Sequence, residues 1–154
     1  MQGAVAASRR VGAGIGRAAV AWPPAAPVPA ASTTRRARGT ANYASGRRAE
    51  GLARAALERD GWTVLGDRVR TAAGEIDLIA QRDGLLGFIE VKSRPTLAEA
   101  AAALTPRQQA RLVQAAEIVL GEHPDWGPNG VRFDLLLVDR AGTVRRIADA
   151  FWQQ

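Results

Sequence analysis

Between Gly74 and Lys92 two apolar runs carry acids at alternate positions: Gly74-Glu75-Ile76-Asp77-Leu78-Ile79-Ala80 and Phe88-Ile89-Glu90-Val91-Lys92, with Asp83-Gly84 between them. Alternation of period two marks a half-buried strand, and Asp-Gly is a strong signal for a two-residue turn. The segment reads as an antiparallel hairpin. A two-residue loop sets Arg82 opposite Leu85, and therefore Asp77 opposite Glu90 and Glu75 opposite Lys92. These four charged side chains then share one face, while Ile76, Leu78, Ile89 and Val91 share the other. An odd-length loop would shift the pairing by one residue and mix charge with apolar surface on both faces. The hydrophobic pattern selects the first register.

Opposed carboxylates repel, and a shared low-dielectric site raises the pKa of one of them. A hard divalent cation offsets this, because Mg²⁺ takes carboxylate oxygens and keeps waters for chemistry on phosphates. Lys92, projecting from the same face, is placed to orient a water or to stabilise developing negative charge. The competing reading is a solvated strand face on which Glu75 and Lys92 form an ordinary surface pair.

Composition narrows the chemistry. The 154 residues include no cysteine and a single histidine, His123. That excludes disulfides, thiolate zinc sites, thiol nucleophiles and multi-histidine metal sites, so any metal must be held by oxygen. The net charge of +6 is a property of one end. Residues 1–49 hold eight arginines and no acid, whereas residues 50–154 hold thirteen basic residues against fifteen acids. Nucleic-acid affinity of the folded part must therefore come from local patches.

A chain of this length accommodates one domain with a proper core. Residues 1–41 are rich in Ala, Gly, Pro and Arg, lack sustained periodicity and are expected to be a disordered extension; residues 42–154 form the domain. Ser8-Arg9-Arg10 and the small residues after it resemble the start of a twin-arginine export signal or an organellar transit peptide. Against export, Arg17 interrupts the apolar region, and four prolines between Ala18 and Thr34 rule out a membrane span. A cytoplasmic protein is expected, nucleoid-associated when bound to DNA, with targeting by the extension as the alternative.

A helix is expected from about Tyr43 to Asp60, with Ala49, Leu52, Ala53, Ala56 and Leu57 on one stripe and Gly61 as its stop. Glu50 adjoins that stripe and by itself reads as an acid favoured near a helix N-terminus. Trp62–Leu65 and Asp67–Thr71 read as a strand with an irregularity at Gly66. Thr105-Pro106-Arg107-Gln108 opens a second helix with a capping box. Val131–Val138 and Thr143–Ala148 read as paired strands, and His123 as a solvated loop residue. The order helix, three strands, helix, two strands gives an α/β fold: a mixed central sheet flanked by helices.

Asp77 followed after twelve residues by Glu90-Val91-Lys92 resembles the Asp…Glu-x-Lys core of the PD-(D/E)xK nuclease superfamily, which includes restriction-type endonucleases and archaeal Holliday-junction resolvases. The match extends through Gly46-Arg47-Arg48-Ala49-Glu50, Arg70-Thr71, Gly74-Glu75-Ile76-Asp77-Leu78-Ile79, Phe88-Ile89-Glu90-Val91-Lys92-Ser93-Arg94 and Arg132-Phe133-Asp134. In that order, over about residues 42–152, these resemble the YraN family of small bacterial proteins. The resemblance implies a restriction-endonuclease-like core and a metal-dependent endonuclease acting on DNA, with branched or recombination intermediates as its narrower substrates.

By the same resemblance Asp77, Glu90 and Glu50 would hold Mg²⁺ or Mn²⁺ together with the backbone carbonyl of Val91, and Lys92 would position the nucleophile. Glu75 would support this set from behind or pair with Lys92. Arg70, Arg94, Arg107 and Arg111 are candidates for backbone phosphates, each equally readable as a surface arginine. The roles of Arg132 and Asp134 stay open. The implied partner is nucleic acid, DNA first, with no membrane; a homodimer is compatible with cutting two strands. Two further readings compete: a nucleic-acid-binding accessory protein of the same fold without turnover, and a metal-stabilised interaction protein.

Overall fold

The computed structural model describes residues 19–21 and 35–151, with side chains described from residue 44 onward. Its elements are β1 (Ala19–Ala21), α1 (Arg35–Arg59), β2 (Thr63–Thr71), β3 (Gly74–Arg82), β4 (Leu85–Ser93), α2 (Leu97–Ala102), α3 (Pro106–Glu122), β5 (Val131–Val138) and β6 (Val144–Ile147). The strands form one mixed sheet in the order β1-β6-β5-β4-β3-β2. β2, β3 and β4 are an antiparallel meander, β4 and β5 are parallel, and β6 returns antiparallel to β5. A parallel pair needs a long crossover, and α2 with α3 supplies it. The fold is α/β, a mixed sheet flanked by helices, as a restriction-endonuclease-like core requires. Among the described residues no helix is long and apolar enough to cross a membrane.

The Asp83-Gly84 turn forms as expected. Both residues take positive φ, 52° and 74°, the combination that matches the twist of a two-residue hairpin. The ladder runs from Arg82↔Leu85 to Leu78↔Ile89 in the register chosen by the hydrophobic pattern. Gly84 is required twice over. Its φ favours glycine, and a Cβ there would sit 2.5 Å from Asn129 Nδ2, whose amide holds the turn by donating to the Asp83 carbonyl at 2.8 Å. Gly84→Ala should destabilise the domain by at least about 1 kcal/mol; denaturant unfolding measures it, and an unchanged midpoint would contradict it.

The sheet buries one face under α1 and the other under α2 and α3. Ala49, Ala53, Ala56 and Leu57 of α1 pack on Leu78, Ala80, Ile89 and Leu136. Leu112, Ala115, Ala116 and Val119 of α3 pack on Ile76, Ile79, Phe88 and Phe133. The small α1 residues let that helix lie close to the strands.

Four local expectations are corrected. α1 begins at Arg35 rather than near Tyr43, because its apolar stripe covers only the half that packs on the sheet while Ala and Arg upstream simply favour helix. Within the extension expected to be disordered, Ala19–Ala21 instead pair antiparallel with β6; the remainder of 1–34 lies outside the described residues. α2 adds a short helix where the sequence reading has only a connection, and Thr96 and Glu99 form a full capping box around its start. Gly121 lies inside the last turn of α3, which ends at Glu122 with His123 as its cap; that residue is partly exposed, as expected, and stacks on Trp126 with ring centroids 3.9 Å apart.

Candidate active site

β4 ends in Glu90-Val91-Lys92 beside its parallel neighbour β5, while β3 leaves β4 after Leu78. In the continuing ladder the amide of Val91 would face Ile76. It donates instead to Asp77 Oδ2 at 2.8 Å. The aspartate side chain competes with the backbone for that N–H, as short polar side chains do, and the two strands separate into a notch. Asp77, Glu90 and Lys92 come together there.

The separation overturns three expectations about β3. The ladder ends at Leu78↔Ile89, so Asp77 does not pair directly across from Glu90. Ile76 does not share a face with Leu78: it joins the core under α3, while Leu78 joins that under α1. Glu75 does not face Lys92. It is bonded by Arg68 Nε at 3.1 Å and Arg70 Nε at 3.2 Å. Burial alone would raise the Glu75 carboxyl, but the hydrogen bonds from these two arginines outweigh it and hold it below its ordinary value.

Glu90 is buried, with 6% of its side chain exposed. Its Oε1 accepts from Lys92 Nζ at 2.7 Å. Its Oε2 is buried with no hydrogen-bond partner among the described residues; Arg111 Nη2 of α3 lies 3.9 Å from it. A buried carboxylate oxygen without a donor is costly. Burial pushes the Asp77 carboxyl up, the charge of Glu90 pushes it further, and despite the Val91 hydrogen bond it reaches about 7. Two acids thus share a low-dielectric notch in which one carboxylate oxygen of Glu90 has no donor.

Glu50 projects from α1 on the other side. Its Oε2 lies 3.9 Å from Arg68 Nε, and burial raises its carboxyl in spite of that guanidinium. Its charge is felt at Asp77. Among the described residues, however, no three His, Cys, Asp or Glu side chains converge closely enough to surround one ion. Arg68, which bridges Glu50 and Glu75, escaped the sequence reading. The only signal for it was the irregularity at Gly66: β2 shifts register between Val64 and Gly66, and Arg68 takes a φ of 49°.

Of the arginines proposed for phosphates, Arg111 lies at the notch, its Nη1 donating to the Glu75 carbonyl at 3.3 Å. Arg70 is exposed and tied to Glu75, Arg94 donates to the Ser93 carbonyl, and Arg107 is exposed at the start of α3. Gly74 holds the floor below Arg111. Its φ is 139°, and a Cβ there would meet Arg111 Nη1 at 2.7 Å. Gly74→Ala should cost at least about 1 kcal/mol through backbone strain, and it should push Arg111 away from Glu90. Thermal unfolding reads the first effect, and a midpoint equal to that of wild type would refute it.

Arg132 and Asp134 belong to a different assembly. Asp134 is fully buried. It pairs with Arg132 Nε at 3.0 Å and Arg146 Nη2 at 2.8 Å, and its Oδ1 accepts from the Asp149 amide at 2.9 Å. The guanidiniums of Arg146 and Arg132 lie 4.5 and 4.8 Å from the centre of the Trp62 ring, within cation–π range. The network joins β5, β6 and the connection between α1 and β2, and every Asp134 oxygen is occupied. Its role is structural.

The fold and the notch define a small α/β protein with a restriction-endonuclease-like core. A model of a family described as "Uncharacterised protein family UPF0102" matches residues 49–138. A UPF0102 protein of Granulibacter bethesdensis is 59% identical over 114 residues, covering 74% of this chain and 72% of that protein. UPF0102 proteins of Azorhizobium caulinodans and Rhodopseudomonas palustris are 46% and 45% identical, covering 80% and 72% of this chain and 94% and 85% of theirs. The chain belongs to the UPF0102 family, which is the YraN family, within the PD-(D/E)xK-like superfamily.

Proposed function

We propose that this chain is a Mg²⁺- or Mn²⁺-dependent nuclease that hydrolyses phosphodiester bonds in DNA, with branched or recombination intermediates as its narrower substrates. The observation that carries this reading is the buried, donor-free Oε2 of Glu90 beside an Asp77 carboxyl raised to about 7. Simple binding of nucleic acid gives no reason to bury two opposed acids.

The donor set fits the ion. Mg²⁺ is commonly held by one or two carboxylates, its remaining positions filled by water and substrate phosphate, so the pair Asp77 and Glu90 is sufficient without a third convergent acid. Val91 would add its carbonyl, and Glu50 would act from α1, directly or through water. Bound there, the cation would activate a water and neutralise phosphate charge. The chain's own residues do the rest. Val91's amide orients Asp77, Lys92 holds Glu90 and presents its ammonium to the attacking water or the phosphate, and Arg111 offers a guanidinium to the phosphate.

A binding protein without turnover is the second reading. It is favoured by the 2.7 Å Lys92–Glu90 pair, which already neutralises one ligand. A cleavage panel over branched, flapped, single- and double-stranded DNA with Mg²⁺ or Mn²⁺ separates the two. Wild type should cut at least one substrate, and Lys92→Ala should cut far less while still binding metal. No cleavage by wild type, or equal cleavage by the Lys92 variant, would replace the nuclease reading with the binding one.

A further inference from the structure

A second concave feature is built by the elements that carry the notch. A cleft of about 110 Å³ opens between α1 and the ends of β4 and β5, with Ser45 and Arg48 on one wall, Ser93 at the end of β4, and Asp139 and Arg140 opposite. It lies outside the carboxyl ends of two adjacent parallel strands, where open α/β sheets receive ligands. Ser93 directly follows Lys92 in the chain, and Arg48 precedes Glu50 by two positions on α1.

The lining is matched to an anion. Neither Arg48 nor Arg140 has an ion-pair partner among the described residues. The one acid in the wall, Asp139, is turned to the β5–β6 connection, where its Oδ1 accepts from the Thr143 amide at 2.8 Å. Arg94 sits at the same end of the sheet, held by its own amide on the Val138 carbonyl at 3.2 Å. Two uncommitted guanidiniums and two hydroxyls around one opening suit a tetrahedral oxyanion, and guanidinium forks favour phosphate.

We infer that this cleft is a second phosphate subsite, which takes a backbone phosphodiester of the same strand that places another linkage at Asp77, Glu90 and Lys92. The inference rests on the nuclease reading for its strand. Ser93 faces α1, as Ile89 and Val91 do, whereas Glu90 lies beside Arg111 of α3, and the chain advances roughly 10 Å between Glu90 and Ser93 along β4. A strand that passes around the carboxyl end of β4, from one face of the sheet to the other, meets both. The subsite fixes the register of the backbone without reading bases.

Equilibrium binding of a DNA oligonucleotide in metal-free buffer, measured across a salt series, tests this. Arg48→Gln and Arg140→Gln should each weaken binding regardless of sequence. The double variant should flatten the slope of log affinity against log salt by about 1, the share of one lost phosphate. Arg59→Gln, at the opposite end of α1, removes the same charge and should leave both quantities unchanged. All these side chains are exposed, so thermal midpoints should match wild type. Variants at Arg48 and Arg140 that behave like Arg59→Gln would overturn the inference, as would a wild type with no salt-dependent strand binding. Inorganic phosphate is the other source of the same chemistry: occupancy of the cleft by it, with strand binding indifferent to both substitutions, would also overturn the strand placement. If the slope flattens as expected while the cleavage panel stays blank, the subsite stands and the nuclease reading alone fails.

Discussion

Asp77→Asn should abolish metal-dependent cleavage and, in the same molecule, raise the unfolding midpoint of the metal-free protein at pH 8. The Asp77 carboxyl rises from 3.8 in the unfolded chain to about 7 in the fold. Between those values the native state keeps a proton that the unfolded chain releases. Stability therefore falls as pH rises through this window, and the loss is complete above about 7. The full penalty is at most about 4 kcal/mol, reduced by whatever the notch relaxes. An asparagine keeps an oxygen for the Val91 amide and removes the charge that Glu90 opposes. The advantage of the variant should be largest at pH 8 and shrink at pH 5. Saturating Mn²⁺ should stabilise wild type by mass action, by about 2.7 kcal/mol at a hundredfold excess over Kd, and the variant little. A variant less stable than wild type at pH 8, or an advantage that does not change with pH, would refute the account of the notch.

Asp134→Asn should destabilise the domain by up to about 3–5 kcal/mol, because Arg132 loses its counterion and Arg146 keeps the half-exposed Asp60, at 3.6 Å. Two guanidiniums converge on Asp134, and Arg146 is nearly as buried as the aspartate itself. Arg132→Gln should cost less, because Arg146 and the Asp149 amide still satisfy the carboxylate. Burial raises the Asp134 carboxyl against the pull of Arg132. Desolvation and pairing are thus finely opposed, and removing one partner is expensive even though the intact network adds little over an apolar core. Denaturant unfolding gives the two costs. Equal midpoints for Asp134→Asn and wild type would show that the network carries no stability, and loss of cleavage without loss of stability would move Asp134 from scaffold to site.

Much of the domain was legible in the residues themselves. The Asp83-Gly84 turn and the flanking alternation determined the register from Arg82↔Leu85 to Leu78↔Ile89, because a two-residue turn and a period-two pattern leave one pairing that segregates charge from apolar surface. Thr105 and Pro106 set the start of α3 by local capping. That register brings Asp77 to the neighbourhood of Glu90 and Lys92, and the Val91 amide then holds it there. What the pattern could not contain is the point where the pattern stops. Strict alternation assumes a continuous ladder, whereas Asp77 takes the Val91 amide for its own carboxylate and β3 turns away. That single exchange sends Ile76 to the core under α3 and Glu75 to Arg68 and Arg70. Arg68 reaches Glu50 and Glu75 only through the register shift in β2. Asp134 finds Arg146 and its Trp62 platform only when β5, β6 and the connection between α1 and β2 have packed together. Local sequence determined the elements and the register of the hairpin, since those depend on neighbours along the chain. Tertiary structure decided which acids stay unpaired, because their partners come from strands and helices that the chain brings together only on folding.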